Sequence, residues 1–351
     1  MFENREKRTE LSELGEFKLI DRLTKNVSKR QKSTILGIGD DAAILNFEKN
    51  QVLLSTDLLI EGVHFDLSYM PLKHLGYKAV MVNLSDIAAM NATPTQITVG
   101  LAVSNRFSVE ALEEIYSGML LACEKYKVDL VGGDTTSSTS GLMLSITVIG
   151  EAPAKNIVKR STAKAGDLII VSGDLGAAYV GLLLLEREKE VFTKDPTIQP
   201  DLDGYPYVLE RQLRPEARVD MVKRFTDMDL IPTSMIDISD GLASEIMHLC
   251  EESSLGCQLY EEKIPIDPQT ITVAELFNLH PVTCALNGGD DYELLFTVSL
   301  SDFEKINGQG EFYIIGHMTE AGTAKSLITN SGEAIPITAQ GWDGLKNDDK
   351  E

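Results

Sequence analysis

One pattern restricts the fold of this sequence more than any other. Apolar runs repeatedly lead into an aspartate that has glycine, serine or threonine beside it. "ILGIGDDAAIL" carries Asp40 and Asp41, "LLSTD" ends on Asp57, "NLSD" on Asp86 and "LVGGD" on Asp134. "IDISD" supplies Asp237 and Asp240, and "NGGDD" supplies Asp290 and Asp291. An unpaired carboxylate is costly to bury, so each acid must either turn out to solvent or meet a cation. Small neighbours let a ligand come close to the backbone. The pattern therefore predicts acids at strand ends and tight turns. Hard divalent cations take oxygen ligands, and Mg²⁺ typically uses one or two carboxylates together with substrate phosphates.

Periodicity fills in the elements between the acids. Leu11, Leu14, Phe17, Ile20 and Leu23 recur at three-residue spacing and predict a helix. "TILGIGDDAAILNF" and "QVLLSTDLLI" read as strands, and Leu72 to Met90 as a long helix. "QITVGLAVS" is a strand, and "SVEALEEIYSGMLLACEKY" is a helix with Ser108 as N-cap. "VDLVGGD" and "LMLSITVIG" are strands around the loop "TTSSTSG". From Glu151 to Lys164 the composition turns polar and the pattern restarts. "DLIIVSG" is a strand and "AAYVGLLLLERE" a helix, and Lys194 to Tyr207 is a Pro- and Asp-rich loop. "RPEARVDMVKRF" and "DGLASEIMHLCEES" read as helices, while "SMIDIS", "DYELLFTV" and "FYIIGHM" read as strands. Strands and helices are mixed throughout, which gives an α/β or α+β class with a boundary near residue 150. A length of 351 residues fits about two domains.

Charge limits the partners. Lys plus Arg is 32 and Asp plus Glu is 54, a formal net charge of −22. Such a chain is repelled by nucleic-acid backbones and anionic membranes, so neither is expected as a partner. Phosphate ligands stay possible, because bound divalent cations invert the local sign. Cys123, Cys250, Cys257 and Cys284 form no C-x-x-C pair and read as buried thiols in a reducing cytoplasm. The start "MFENREKRTELSE" lacks the apolar stretch of a signal peptide, and "GLLLLE" is too short to span a bilayer.

Taken singly, each motif has a plain reading. A Gly-Asp pair is more often a turn than a metal site, and Asp240 could simply cap the helix after it. Asp86 could be a solvated helix residue, although Val82, Ile87 and Met90 beside it are apolar and Asn83 is polar. The joint occurrence shifts the balance. No G-x-x-x-x-G-K-[ST], H-E-x-x-H or G-x-S-x-G is present, and "GIGDDA" departs from the dinucleotide fingerprint. His64, His74, His248, His280 and His317 show no metal-ligand spacing. His64, shortly after Asp57, is the one singled out for function.

"GIGDDAA", "STDLLIEGVHF", "YKAVMVNLSDIAAM", "VGGDTT", "KRSTAKAGD", "IDISDGL" and "NGGDDYELLFTV" stand in this order. Together they resemble the thiamine-monophosphate kinase family of the aminoimidazole-ribonucleotide-synthetase-like superfamily. The likeness runs from about Gly15 to Trp342. It implies ATP-dependent, Mg²⁺-dependent phosphoryl transfer to thiamine monophosphate, giving thiamine diphosphate and ADP, in the cytoplasm. It also implies a two-domain fold: residues 1–150 as an ATP- and Mg²⁺-binding domain that dimerises through its sheet, and residues 151–345 as a C-terminal α+β domain. In the family the site lies in a cleft between the domains, and both subunits of a homodimer contribute to it. Carried over residue by residue, Asp41, Ser55, Thr56, Asp57, Asp86, Asp134, Asp237 and Asp240 correspond to ligands of several Mg²⁺ ions. Tyr116, Gly133, Asp134, Arg160 and Ser239 correspond to ATP contacts. His64, Asp290 and Trp342 correspond to thiamine-side contacts. The family pattern "GGEDYEL" is "GGDDYEL" here, so Asp290 keeps the charge with one methylene less. Trp342 is either a stacking surface for the thiamine ring or a packing plug.

This chemistry would explain acids in apolar surroundings. Donor and acceptor both carry phosphates, and carboxylate-held cations offset their repulsion. The acceptor phosphate is already ionised, so no general base is assigned and direct in-line transfer is expected. Arg160 would hold a phosphate bidentately. Other superfamily members are the nearest alternatives. A hydrogenase-maturation protein would need a reactive C-terminal cysteine, where this sequence reads "DDKE", and a selenophosphate synthetase would need one near the N-terminus. A non-catalytic metal-binding or nucleotide-sensing protein would show scattered acids instead.

Overall fold

The strand "QVLLSTDLLI" sets the plan of the first half of the chain. In the computed structural model, which describes residue 9, residues 16–38 and residues 43–339, it is a ten-residue edge strand, β3 (Gln51–Ile60). Helix α1 (Glu16–Thr24) and a small ladder of β1 (Thr34–Leu36) with β2 (Ile44–Leu45) precede it. Helix α2 (Leu72–Ala89), β4 (Thr93–Val103), α3 (Val109–Tyr126), β5 (Asp129–Ser137) and β6 (Leu142–Ala152) follow. The sheet order is β3-β6-β4-β5, antiparallel except for the parallel β4/β5 pair.

Strand alternation gives this sheet two unlike faces. Leu142, Leu144, Ile146 and Val148 of β6 are buried, and Gly150 lies so close to Ile87 of α2 that a Cβ would meet its side chain at 2.4 Å. The helices thus cover that face. They also touch each other through glycines, since a Cβ on Gly76 of α2 would sit 1.9 Å from the Ile115 carbonyl oxygen. Val52, Leu54, Leu58 and Met143 lie on the opposite face, and Leu54 is 68% exposed. Ser108 caps α3 as its position predicts, accepting from Ala111 N–H at 3.2 Å.

The second half carries β7 (Leu168–Val171), α4 (Ala177–Lys194), α5 (Pro206–Leu213), α6 (Asp220–Asp227), β8 (Ser234–Asp237) and α7 (Leu242–Ser253). After these come β9 (Gly256–Tyr260), α8 (Pro268–Leu276), α9 (Pro281–Asn287), β10 (Leu294–Val298), β11 (Tyr313–Thr319), β12 (Lys325–Ile328) and β13 (Ala334–Pro336). Their sheet runs β13-β12-β9-β11-β7-β10-β8, and only β12/β9 is parallel. One core cluster lies against α7 through Ile236, Ile246 and Leu249, and another gathers Phe225, Phe296 and Phe312.

By contacts, the chain divides into Met1–Ile87 with Ala92–Lys155, and Ala88–Asn91 with Asn156–Glu351. The class is the mixed α/β expected. Two local expectations differ from the structure. "RPEARVDMVKRF" is helical only from Asp220: a separate helix, α5, ends before it at Leu213, because Pro215 forces Arg214 out of the helical region to φ −144°, ψ 64°. The strand through "VGGD" continues to Ser137. Of the helix expected from Leu11 to Leu23, residues 11–15 lie outside the described residues, and the rest is the helix Glu16–Thr24.

Candidate active site

In the first unit, β3 and α2 bring three of the expected residues together. Ser55 and Asp57 share the helix-side face of β3, in register with Val148 and Ile146. Ser55 Oγ donates to Asp86 Oδ2 at 2.5 Å. Asp57 N–H, which faces away from the sheet because β3 is an edge, donates to Asn83 Oδ1 at 3.1 Å. Asn83 is itself fixed by donating to Ala79 O at 3.0 Å, and it stands one helical turn before Asp86. From Leu75 to Ala89, Asp86 is the one position of α2 that is not buried. Burial, and next the Asp86 charge, push the Asp57 carboxyl up to about 6. Two like charges held this close favour a cation.

The remaining first-unit residues lie elsewhere. The Thr56 side chain is on the open face of β3, donating to Ile146 O at 3.0 Å and pairing with Thr147 Oγ1 at 3.0 Å. Asp134 lies on β5, three strands across from β3, which at ~4.8 Å per strand is ~14 Å. Its register row is Gly100, Ser145 and Leu58, the row of the open face. Gly133, in the row of Val99, Ile146 and Asp57, has its α-carbon against the Val99 carbonyl, where a Cβ would sit 2.1 Å away. Tyr116 is only 6% exposed, and burial raises its hydroxyl to about 12. His64 is exposed, and its Nδ1 accepts from Ile60 N–H at 3.1 Å. A backbone amide can only donate, so the ring's proton is on Nε2.

In the second unit, the loops after β8 and before β10 lock together. Asp290 N–H donates to Ser239 O, Tyr292 N–H to Ile238 O and Ile238 N–H to Glu293 O, each at 2.8 Å. Gly289 is required, since a Cβ there would lie 2.2 Å from Ser239 O. Asp237 ends β8 and is 4% exposed. Burial, and next the Asp290 charge, raise the Asp240 carboxyl. Gly241, at φ 111°, is the N-cap of α7 and no side chain caps it, so capping does not account for Asp240. Instead Asp240 N–H donates to Glu245 Oε1 at 3.2 Å. Burial pushes Glu245 up to about 8, with the Asp240 and Asp237 charges adding to it. The exposed Arg160 lies in the segment beside the start of β8, where its carbonyl accepts from Ser234 Oγ at 2.8 Å.

Among the described residues no three acidic, histidine or cysteine side chains converge on one point; the acids meet in pairs. Asp41 and Trp342 lie outside the described residues. Strand ends hold fewer of the acids than the sequence pattern implied. Asp57 and Asp134 are inside strands and Asp86 is inside a helix, while Asp237, Asp240 and Asp290 do sit at a strand end and turns. Asn83, Glu245, Arg211 and Tyr292 were not singled out as site residues. Only Glu245 had a local signal, an acid in the first turn of a helix reaching back to an N-terminal amide.

The family model "AIR synthase related protein, N-terminal domain" matches residues 39–152. The thiamine-monophosphate kinase of Buchnera aphidicola subsp. Schizaphis graminum is 37% identical over 332 residues, covering 92% of this chain and 97% of that one. That of Bacillus subtilis is 32% identical over 341 residues, covering 95% and 100%. Among solved structures, "AaThiL complexed with AMPPCP and TMP" is 33% identical with a TM-score of 0.73 and covers 97% of this chain and 99% of its own. The thiamine-monophosphate kinase of Stenotrophomonas maltophilia K279a is 30% identical with a TM-score of 0.76, covering 92% and 98%. A hydrogenase maturation protein HypE in complex with ATP shares the fold, with a TM-score of 0.72 at 19% identity over 91% of this chain.

Proposed function

This chain belongs to the thiamine-monophosphate kinase family and phosphorylates thiamine monophosphate with ATP, and we propose that it does so by direct in-line transfer dependent on Mg²⁺. The observation that carries the metal reading is the Ser55–Asp57–Asp86 group, in which burial, and next the Asp86 charge, raise the proton affinity of Asp57 beside a hydroxyl. Its donors are all oxygen, which suits Mg²⁺ and not a softer ion. When bound, Mg²⁺ neutralises phosphate charge and lowers the barrier to approach of two anions. Asp57, Asp86 and Ser55, with Asp41, are the ligands we assign in the first unit, and Asp237 and Asp240 in the second.

The chain's own residues do the rest. Ser239, Gly133 and Arg160 are assigned to the nucleotide, Arg160 as a bidentate phosphate holder. Tyr116, being buried, would support the nucleotide only from beneath. His64 Nε2–H is a donor to the acceptor, and Asp290 and Trp342 complete the thiamine side. No side chain is assigned to remove a proton, since the attacking phosphate oxygen is already ionised.

We assign a homodimer formed through the open sheet face. Val52, Leu54, Leu58 and Met143 form an exposed apolar patch there, and Thr56 and Asp134 face the same side from opposite edges of the sheet. A second copy laid on that face would offer Asp134 of one protomer a route to Thr56 of the other. This gives residues 1–150 the dimer role and part of the nucleotide and metal contacts, and residues 151–345 the remaining contacts. Four free, buried cysteines agree with a cytoplasmic setting. Among the described residues no helix is long and apolar enough to cross a membrane.

The chirality of transfer tests the in-line reading. With a γ-phosphorus made chiral by oxygen isotopes and sulfur, direct transfer gives inversion. Retention would require a phospho-enzyme and would overturn it.

A further inference from the structure

Asp290 stands on a turn that its own backbone does not favour. Asp290 and Tyr292 both adopt left-handed conformations, at φ 67° and 52°, which L side chains rarely occupy. Such a turn persists only where its surroundings over-determine it. Here the surroundings are two opposed sets of bonds. On the outer side, Tyr292 Oη donates to Asp290 Oδ1 at 2.8 Å and Gln212 Nε2 donates to Asp290 Oδ2 at 3.4 Å, so both carboxylate oxygens are oriented.

On the inner side, Arg211 of α5 reaches under the turn. Its Nη2 donates to Asp291 O at 3.2 Å and to Asp174 O at 3.1 Å, and its Nη1 donates to Glu293 Oε1 at 2.9 Å. Arg218 Nη1 and Ser172 Oγ hold the other Glu293 oxygen at 2.6 and 2.7 Å. Asp291 Oδ2 accepts from Gly176 N–H at 2.7 Å. Glu293 is fully enclosed, and burial is the largest single influence on it, opposing its charge. The two arginines and Ser172 nevertheless hold it below the usual carboxylate range. A buried ionic network of this kind adds little net stability over an apolar core, but it fixes geometry when every partner is in place.

We propose that Arg211 and Tyr292 are positioning residues for acceptor recognition. Arg211 ties the turns before β10 and after β7 into one rigid frame, and Tyr292 aims the Asp290 carboxylate from that frame. The proposal rests on the reading of Asp290 as a thiamine-side contact. Because the same turn is bonded to Ser239 and Ile238, the frame also sets the loop that carries Asp240.

The test combines steady-state kinetics with amide hydrogen exchange on the full-length protein, using Tyr292→Phe, Arg211→Lys and Asp290→Asn. Tyr292→Phe removes one hydroxyl and keeps the ring. Loss of a hydrogen bond to a charged group predicts a rise of about tenfold in KM for thiamine monophosphate, with KM for ATP within about twofold. Arg211→Lys keeps the charge but loses the planar fork. It should raise the acceptor KM similarly and speed exchange at the Asp290 and Tyr292 amides. An unchanged acceptor KM in Tyr292→Phe, or equal rises for both substrates, would overturn the positioning role. If Asp290→Asn alone leaves the acceptor KM unchanged, the assignment of Asp290 fails and the proposal with it. If wild-type protein does not turn over thiamine monophosphate, the functional reading fails. Exchange at the two amides then still decides whether Arg211 clamps the turn, and an unaltered rate in Arg211→Lys overturns that clamp.

Discussion

Ser55 of β3 donates its hydroxyl to Asp86 of α2 across 2.5 Å, and Asp57, two residues further along the same strand face, holds its proton up to about 6 through burial and, second, the Asp86 charge. Two acids are thus kept in a place where, without a cation, they oppose each other. We expect this arrangement to destabilise the ligand-free protein and to become favourable when a divalent ion binds.

Asp86→Asn should therefore abolish phosphoryl transfer yet stabilise the metal-free protein. The substitution keeps the side-chain volume and removes one of the two charges. At an effective dielectric near 20 a close pair costs a few kcal/mol before screening, and relief of about 1 kcal/mol would raise Tm by about 2–4 °C for an unfolding unit the size of the first domain. Thermal unfolding in EDTA should show the rise. With excess Mg²⁺ and nucleotide the wild type should gain more than the variant, because a ligand that binds only the folded state stabilises by mass action. A lower Tm for the variant in EDTA, or near-wild-type activity, would make Asp86 a structural residue.

The stability of the metal-free protein should fall as pH rises from about 5 to about 8.5. Burial raises Asp57 to about 6, Asp291 to about 7 and Glu245 to about 8. An acid whose folded pKa lies above its unfolded value contributes most below the unfolded value, and that contribution is lost as pH climbs through the folded one. Groups shifted the other way, such as Glu110 at about 2 and Glu293, lose theirs only as pH falls below the ordinary carboxylate range. Tm measured across pH in EDTA should peak near pH 5. A flat profile, or one that rises toward pH 8, would contradict the buried-acid account.

If the protein is the homodimer proposed above, Leu54→Glu should make it a monomer without unfolding it. Leu54 is 68% exposed on the open face of the edge strand β3, so a charge there costs the monomer little and the proposed interface much. Sedimentation would read the change, with circular dichroism as the control. A dimer that persists would place the interface elsewhere.

Trp342 is the only tryptophan, so its fluorescence should report the acceptor. Thiamine monophosphate should change the emission, and ATP alone should not. A Trp342→Ala protein with an unchanged KM for the acceptor would show that the residue only packs.

The sequence carried the elements and the identities of the acids, but not which of them meet. Alternation in "QVLLSTDLLI" is enough to place Ser55 and Asp57 on one face and Thr56 on the other, as β3 shows. The Asp86 contact required knowing that α2 lies on that face, which no local pattern encodes. "GGD" resembled a strand end because glycines usually end strands, yet β4 pairs with β5 through both glycines and carries Asp134 into the sheet. The Arg211–Glu293 pair joins residues 82 positions apart, so neither end announces the other. Asp240 looked like a helix cap until Gly241 took that position.

Product formation with paired acceptors tests the central claim most directly. Purified protein given ATP and thiamine monophosphate should release ADP and thiamine diphosphate in equal amounts, and only when Mg²⁺ is present. Replacing the acceptor with unphosphorylated thiamine, or chelating the metal, should stop both. Equal turnover of thiamine and thiamine monophosphate, or full activity in EDTA, would contradict the account.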